Sequence, residues 1–233
     1  MNPYKYICIL VVLSGAMTAM SAAQTWDATK DFGASNPNGA WSYGWGVTGT
    51  SFTRYPSYNL NCVDEYGIQG EVCWTAELYD HVPLVGLNTT GQWLNFSSVV
   101  LPPDALCVHP APDWDPGDSI VRWTAPATAI YRISGFFEIL DMYPTGIVGL
   151  VYRNGTLLFR AELLGPGAQH PDQIGGRANF YFPQVSLNAG DVISFGVNSD
   201  ATFYYDSTGF NATIVTPPSA PPCAVCLQQR RSP

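Results

Sequence analysis

The feature that most constrains this chain is the recurrence of short runs in which every second residue is large and apolar. Successive side chains of a β-strand point to opposite faces, so such alternation predicts strands with one buried face. Helical periodicity is hard to find after residue 23, and 22 Gly and 19 Pro residues punctuate the sequence. The candidate strands are WSYGWG, EVCWTAEL, QWLNFSSV, SIVRWTA, AIYRISGFFEIL, GIVGLVYR, TLLFRAEL, ANFYFPQVSL, DVISFGVN and GFNATIV.

Roughly ten short strands with this punctuation predict an all-β fold, namely a two-sheet antiparallel β-sandwich or jelly roll. The sharpest local signal is Asn154-Gly155, which stands between two apolar runs and suits the left-handed conformations of a type I′ hairpin turn. A second turn is predicted at LNAGD, residues 187–191. About 210 residues follow the N-terminal segment, a length compatible with one such domain.

The stretch NPNGAWSYGWG places Trp41, Tyr43 and Trp45 at alternate positions, with only Ser and Gly between them. On a strand the three rings share one face, which is either part of the core or an aromatic platform for a ligand. We favour core packing, because large aromatic rings gain most from burial. Gly44 and Gly46 then leave the opposite face bare, so a neighbouring strand or loop can approach closely.

The first residues have the parts of a secretory signal peptide: a positive charge at Lys5, an apolar run from Ile7 to Ala19, and the small residues Ser21-Ala22-Ala23. The run is too short for a convincing membrane span, which needs roughly 20 apolar residues. No later segment is apolar enough to cross a bilayer. We therefore expect a signal peptide over residues 1–23 and a secreted mature chain from Gln24, without a membrane span.

The charge balance bears on partners. The chain has 10 Lys and Arg residues against 18 Asp and Glu residues, a formal net charge of −8, and its basic residues are scattered. We do not expect nucleic acid or an anionic membrane surface as a partner, because both require a basic patch. Acidity of this kind is ordinary for an exported protein, in which it favours solubility.

The cysteines indicate disulfide bonding in an oxidising compartment. Cys62 and Cys73 flank VDEYGIQGEV, whose glycines allow the chain to reverse, and we expect a bridge between them. Cys223 and Cys226 form a Cys-x-x-Cys motif in a proline-rich context. We favour a structural or intermolecular disulfide there, with zinc binding and redox chemistry as alternatives. The number of cysteines after the signal peptide is odd, so at least one stays free, pairs with another chain or carries something else.

These signals divide the chain into three parts: the signal peptide over residues 1–23, a β-sandwich domain over residues 24–215, and a tail over residues 216–233 that contains Pro and Cys. Prolines cannot donate to a sheet ladder, and the tail offers little apolar surface. We expect the tail to be flexible and dispensable for folding. Its cysteines could link the domain to a partner chain.

Six segments carry a resemblance to a known family: WDATKDFGASNPNGAWSYGWG, HPAPDWDPGDSIVRWTAP, YRISGFFEILD, VYRNGTLLF, SLNAGDVISFGV and YYDSTGFNATI. From about Trp26 to Ile214 they resemble a secreted module common in environmental bacteria, often in proteins with a PEP-CTERM sorting tail. The resemblance implies an extracellular β-sandwich similar in outline to carbohydrate-binding modules, with no assigned activity and no catalytic residues to transfer. The sorting motif, its hydrophobic span and its basic cluster are not found here, so we expect free secretion.

Signatures of common enzymes are not found in the sequence, which contains no Gly-x-Ser-x-Gly elbow, no His-Glu-x-x-His and no Gly-rich phosphate loop. A pair of carboxylates is the enzymatic alternative, because glycoside hydrolysis needs two carboxyl groups that face each other. The candidate pair is Glu138 and Asp141, at the end of an apolar strand. Another strand is surrounded by Glu71, Glu77 and Asp80.

Oxygen-rich side chains are most concentrated in HPAPDWDPGDS, where Asp113, Asp115 and Asp118 could offer several oxygens to one calcium ion. The spacing lacks the bidentate Glu of an EF-hand loop, and Asp-Pro-Gly-Asp is also an ordinary turn. We favour the turn. The sequence therefore predicts no cofactor, with a structural calcium ion as the alternative.

Four Asn-x-Ser/Thr sequons make Asn88, Asn95, Asn154 and Asn211 candidates for glycosylation. Asn154 is expected to be the most accessible of them, because it occupies the tip of a predicted hairpin.

Aromatic residues in loops are the candidates for ligand binding, because loops on a rigid sandwich commonly carry recognition. They are Tyr55, Tyr58 and Tyr66, within RYPSYNLNCVDEYG, together with Trp93 and Trp114. We predict a secreted, non-catalytic module that binds an extracellular glycan or matrix component. The alternatives are a polysaccharide-active hydrolase that uses a carboxylate pair, and a structural extracellular subunit cross-linked through its cysteine tail.

Overall fold

The computed structural model describes residues 23–62, 69–79, 82–112, 117–164, 176–200 and 202–217. Within these residues the chain forms sixteen β-strands and no helix, and residues 24–217 make up one compact unit. In chain order the strands are β1 (Thr25–Asp27), β2 (Trp41–Gly46), β3 (Thr53–Arg54), β4 (Ser57–Asn59), β5 (Glu71–Tyr79), β6 (Val82–Asn88), β7 (Leu94–Phe96), β8 (Val99–Leu101), β9 (Leu106–His109), β10 (Asp118–Thr124), β11 (Ala129–Ile139), β12 (Ile147–Arg153), β13 (Thr156–Leu163), β14 (Arg177–Leu187), β15 (Val192–Ser199) and β16 (Thr208–Val215).

Two antiparallel sheets enclose the core. Sheet A has the order β14-β11-β16-β9-β6-β5-β4, and β1 also pairs with β16. Sheet B has the order β13-β12-β15-β10-β2-β3, and β7 and β8 form a separate hairpin. Residues from both sheets share one buried apolar cluster, which we call the inner core. The predicted all-β, two-sheet antiparallel sandwich is confirmed.

The aromatic residues of β2 belong mainly to the inner core. Trp41 and Tyr43 are 1% and 0% exposed, so the prediction of core packing is confirmed for both. Trp41 lies directly opposite Trp123 of β10 in the sheet register. Trp45 is only half-buried, at the end of the strand, and its ring stacks on that of Tyr55 with centroids 5.5 Å apart.

A neighbouring segment approaches β2 closely at Gly44, as the glycines of this strand predict. β3 pairs with β2 there, and Gly44 lies opposite Arg54. A Cβ atom built on Gly44 would collide with the carbonyl oxygen of Thr53 and would lie 2.8 Å from the Phe52 ring. The collision with Thr53 involves backbone, so a rotamer change cannot relieve it.

We expect Gly44→Ala to destabilise the domain by about 1 to 3 kcal/mol, the usual cost of overpacking. Equilibrium unfolding in urea measures it. Gly190→Ala is the contrasting variant, because a Cβ on Gly190 meets nothing within 4 Å, although its φ of +88° is itself unfavourable for alanine. A loss no larger for Gly44→Ala than for Gly190→Ala would contradict the close approach of β3.

The predicted hairpin at Asn154-Gly155 is confirmed. Both residues have positive φ, 46° and 83°, as a type I′ turn requires, and Arg153 pairs with Thr156 across the turn. The segment QWLNFSSV, predicted as one strand, is instead the β7–β8 hairpin, which turns at Ser97 with a φ of 46°. β6 was not predicted, because nearly all its residues are buried and its sequence VPLVGLN therefore does not alternate.

A second apolar cluster lies on the outward side of sheet A, and we call it the outer cluster; its buried residues are Cys62, Cys73, Val82, Leu84, Leu101, Cys107, Leu140 and Phe203. Partly buried residues of the β7–β8 hairpin, Leu94 and Val99, pack against it. The predicted disulfide Cys62–Cys73 lies here with both residues 0% exposed. Cys107 is a free, buried cysteine among the described residues.

Candidate functional site

Tyr55 is not an exposed loop ring, and this prediction is wrong. Tyr55 is 3% exposed, its hydroxyl lies 2.7 Å from the Ser119 hydroxyl, and its ring is covered by Trp45. The cause is that its segment forms the short strands β3 and β4 at the edges of the two sheets rather than an open loop. Burial raises the pKa of the Tyr55 phenol well above its ordinary value.

Tyr58 and Trp93, the other predicted aromatic residues that the structure describes, differ in exposure. Tyr58 is half-buried on β4, and its ring centroid lies 5.1 Å from that of Trp74. Trp93 is 59% exposed, but it precedes β7 at the open end of the β7–β8 hairpin. Tyr66 and Trp114 lie outside the described residues.

Asp118 is engaged within the protein rather than free to bind a metal ion. Its side chain is buried, one oxygen accepts from the backbone N–H of Thr48 and the other from Nδ2 of Asn198, both at 2.7 Å. Asp113 and Asp115 lie outside the described residues, where Cys223 and Cys226 also fall. In the part of the chain that the structure describes, no cluster of three or more His, Cys, Asp or Glu side chains could hold a metal ion. The calcium site stays a prediction.

The four sequons differ in accessibility. Asn88 is buried, and its Nδ2 donates to the carbonyl oxygens of Gln92 and Leu101, so in the folded domain it is not an accessible acceptor for a glycan, contrary to the prediction. Its side chain instead fixes the segment that leads into β7. Asn95 and Asn154 are exposed and Asn211 is half-buried.

The best-built surface feature lies where two connections run side by side: residues 140–146, between β11 and β12, and residues 202–207, between β15 and β16. We call these segments the tyrosine loops. Their neighbourhood follows from the strand pairing, since Ile147 lies opposite Ser199 at one end. At the other end the backbone N–H of Leu140 donates to the carbonyl oxygen of Ser207 at 2.8 Å.

Three large rings project from the tyrosine loops. Tyr143, Tyr204 and Tyr205 are 65%, 51% and 50% exposed. The rings of Tyr143 and Tyr205 meet edge to face, with centroids 6.3 Å apart and planes at 80°. Two perpendicular rings line a corner rather than a flat platform, so together they suit a compact ligand more than an extended flat surface.

Buried contacts hold the second tyrosine loop in place. Phe203 is 4% exposed within the outer cluster, and its ring lies 4.3 Å from that of Tyr204. Tyr205 has a φ of 62°, an unfavourable conformation for a bulky residue that persists only where surrounding structure imposes it. Strain of this kind is concentrated at functional sites. The loop therefore presents its rings from a fixed backbone.

Two carboxyl groups lie beneath these rings. Asp141 is 1% exposed and accepts from the Ser98 hydroxyl and from the backbone N–H of Ser207. Asp206 is 0% exposed, and burial is the largest cause that raises its pKa to about 7. Neither carboxyl group reaches the surface, so neither can approach a bound substrate in this structure.

The predicted carboxylate pair is not arranged as a pair of free acids. Glu138 is buried on β11 and forms an ion pair with Arg177 at 3.0 Å. Burial raises the pKa of Glu138, an effect that Arg177 opposes. Glu77 accepts from Nδ2 of Asn59, and Glu71 is buried and hydrogen-bonded to the Cys107 thiol. Asp80 lies outside the described residues.

A second set of exposed side chains lies on the outward face of β11 and β14. Tyr181 is 61% exposed there, and the guanidinium of Arg177 covers the Phe136 ring at 3.6 Å. An antiparallel sheet with one face in water is expected to carry polar residues outward, and the one large apolar ring on this part of the face is already covered. This surface needs no ligand to explain it.

Sequence reasoning did not single out Tyr143, Tyr204 or Tyr205, although the tandem Tyr204-Tyr205 before an Asp in a short polar stretch was visible in YYDSTG. Exposed tyrosines supply large, rigid contact area with a polar hydroxyl at the end, a combination that suits recognition of polar ligands with apolar faces. The arrangement can therefore bind a ligand, whereas its carboxyl groups are sequestered.

No family model matches the chain, and no curated protein matches it. Among solved structures it is similar to a family 51 carbohydrate-binding module from Clostridium perfringens in complex with methyl-galactose, with 10% identity and a TM-score of 0.35 over 74% of this chain and 99% of that one. It is also similar to a family 35 carbohydrate-binding module from Clostridium thermocellum, with 13% identity and a TM-score of 0.28 over 68% and 97% of the two chains.

A further similarity is to an exo-β-1,3-galactanase from Phanerochaete chrysosporium in complex with β-1,3-galactotriose, with 14% identity and a TM-score of 0.29 over 53% of this chain. This chain spans 25% of the length of that enzyme. Within the described part of the chain, no helix has the length and apolar character needed to span a membrane.

Proposed function

We propose that the domain is a secreted, non-catalytic glycan-binding module whose tyrosine loops contact the saccharide. The observation that carries the proposal is the corner formed by the exposed rings of Tyr143 and Tyr205, which project from two neighbouring loops. The backbone of the second loop is strained at Tyr205 and anchored by Phe203. Sugar rings have apolar C–H faces and polar edges, so they fit between an aromatic face and nearby hydroxyl groups. The corner shape favours a chain end or a short branch over a flat crystalline polysaccharide.

The test is binding of the mature chain to a glycan array, followed by titration of the strongest ligand with Ala variants. We expect Tyr143→Ala and Tyr205→Ala each to weaken binding about tenfold or more, the loss typical of an aromatic hot spot. Their free energies of unfolding should change by no more than about 0.5 kcal/mol, because the rings are exposed.

Tyr181→Ala is the matched control, because it removes an equally exposed tyrosine from the outward face of sheet A. Loss of binding in Tyr181→Ala with full binding in both loop variants would place the ligand on the strand face and overturn the assignment. Hydrolysis of the same glycans is assayed in parallel. Turnover that disappears in Glu138→Gln or Asp141→Asn would favour the enzymatic alternative.

A further inference from the structure

The Thr145 hydroxyl, in the first tyrosine loop, lies within hydrogen-bond distance of more acceptors than its single proton can satisfy. Thr145 Oγ1 lies 2.9 Å from the carbonyl oxygen of Thr202, 2.8 Å from that of Tyr204 and 2.9 Å from Oδ1 of Asp206. A threonine hydroxyl carries one proton and can donate to one of them. If Asp206 is ionised, none of the three acceptors has a proton to return, and two oxygen–oxygen contacts are repulsive.

A proton on Asp206 reduces this conflict from two unprotonated oxygen–oxygen contacts to one. The neutral carboxyl group can donate from Oδ1 to Thr145 Oγ1, and the Thr145 hydroxyl can then donate to the carbonyl oxygen of Tyr204 or Thr202. The segment that carries Tyr204 and Tyr205 is then tied to the first tyrosine loop by a chain of two donated hydrogen bonds. The oxygen positions around Thr145 Oγ1 therefore fit the neutral carboxyl group better than the carboxylate.

The surroundings of Asp206 also favour the neutral form. The residue is 0% exposed, and its Oδ2 has no hydrogen-bond partner among the described residues. Burial is the largest cause of its raised pKa of about 7, and the charge of Asp141 adds to it. The Thr145 hydroxyl and the amides of Thr145 and Gly146 oppose the shift. The balance places the titration near neutral pH.

Among the described residues, the buried titratable groups of the outer cluster and its surroundings lie on or next to three strands. Asp141 follows β11, Cys107 and His109 belong to β9, and Glu71 belongs to β5. Burial lowers the pKa of His109, so the imidazole does not gain a compensating positive charge near neutral pH. Burial raises the pKa of Glu71 to about 8 and that of Cys107 well above its ordinary value. Glu71 is thus the other group that a pH experiment must separate from Asp206.

We propose that protonation of Asp206 controls the tyrosine loops: the neutral carboxyl group holds residues 202–206 against Thr145, and loss of its proton releases this segment and weakens saccharide binding. The part that concerns binding rests on the proposed function, whereas the control of the loop does not. The sign follows from proton linkage, because the closed loop holds a proton that the open, solvated Asp206 gives up. The closed state is therefore favoured at acidic pH and loses stability as pH rises toward neutrality.

Hydrogen exchange measured by mass spectrometry on a peptide that covers residues 202–207 tests the control without any ligand. After correction for the intrinsic effect of pH, we expect the exchange rate of the wild-type segment to rise about tenfold or more between about pH 5.5 and about pH 8.5. Asp206→Asn keeps a neutral side chain that can donate to Thr145 Oγ1 at every pH. Its segment should stay closed over the same range, and chymotrypsin cleavage after Tyr204 or Tyr205 should be slow throughout.

Two control variants make the result specific. Glu71→Gln should keep the pH dependence of the 202–207 segment. Asp118→Asn is the same substitution at a buried carboxylate that accepts two hydrogen bonds at 2.7 Å, so it should destabilise the domain at neutral pH instead of protecting a loop. Equal pH dependence in Asp206→Asn and wild type, or its loss in Glu71→Gln, would overturn the proposal.

The exchange samples contain EDTA. One further series contains calcium instead of EDTA. Calcium that closes the wild-type segment at high pH would show that the carboxylate acts as a cation ligand, and this result also overturns the proposal. If a saccharide binds, its affinity should fall over the same pH range in the wild type and not in Asp206→Asn. Absence of all saccharide binding with the pH-dependent exchange intact would overturn the proposed function alone.

Discussion

Replacement of Trp41 by alanine is expected to lower the free energy of unfolding by about 3 to 5 kcal/mol, the range found when a buried aromatic site is emptied. Trp41 is 1% exposed, faces Trp123 in the register of sheet B and lies 6.3 Å from the Phe195 ring. Its indole N–H also donates to Asp31. The inner core around it is held by two sheets and cannot collapse readily into the space. Equilibrium unfolding in urea measures the loss.

Trp93→Ala is the control for Trp41→Ala, because it removes the same side chain from a site that is 59% exposed. Its stability should stay within about 0.5 kcal/mol of the wild type. Equal losses in the two variants would mean that β2 is not the core strand described here. A neutral Trp41→Ala variant that lost glycan binding would instead make β2 the ligand platform.

Removal of the Cys62–Cys73 disulfide is expected to cost about 3 kcal/mol, the value of the chain-entropy model for a loop of this size. The two residues are 11 positions apart, and both are fully buried in the outer cluster. The double variant Cys62→Ala, Cys73→Ala should lose this stability, as measured by urea unfolding. Peptide mapping without reductant should recover the two cysteines of the wild type joined to each other.

Reductant provides the internal control for the disulfide. It should lower the stability of the wild type to that of the double variant and leave the double variant unchanged. An effect of reductant on the double variant would assign the stabilisation to other cysteines. Recovery of Cys62 and Cys73 as free thiols would contradict the bridge.

Much of the fold could be predicted from alternation, because the strands that have one face in the core and one in water carry the pattern in their own residues. β2 is an example, since Trp41 and Tyr43 are buried while Gly44 admits β3. β6 and β9 could not be predicted in this way. Both lie in the middle of sheet A beneath the outer cluster, so they are buried on two sides and their sequences lack alternation.

The candidate site was less predictable, because it depends on residues that only the sheet topology brings together. Tyr143 and Tyr205 are 62 positions apart, and their rings meet because β12 pairs with β15. No local sequence pattern predicts that pairing. Tyr55 was wrongly predicted to be exposed for the same reason. A polar, Pro-containing segment predicts a loop, whereas pairing of β3 with β2 and of β4 with β5 covers its ring.

The position of β16 in sheet A has a consequence for how the chain can fold. β16 is the last strand that the structure describes, yet it lies between β11 and β9 and also pairs with β1. Beyond that pairing, the backbone N–H of Thr216 donates to the carbonyl oxygen of Gln24. Sheet A therefore cannot close until residue 215 is free to join it, and non-local pairing of this kind makes folding slow. Until then one edge of β9 has no partner strand and is exposed to aggregation.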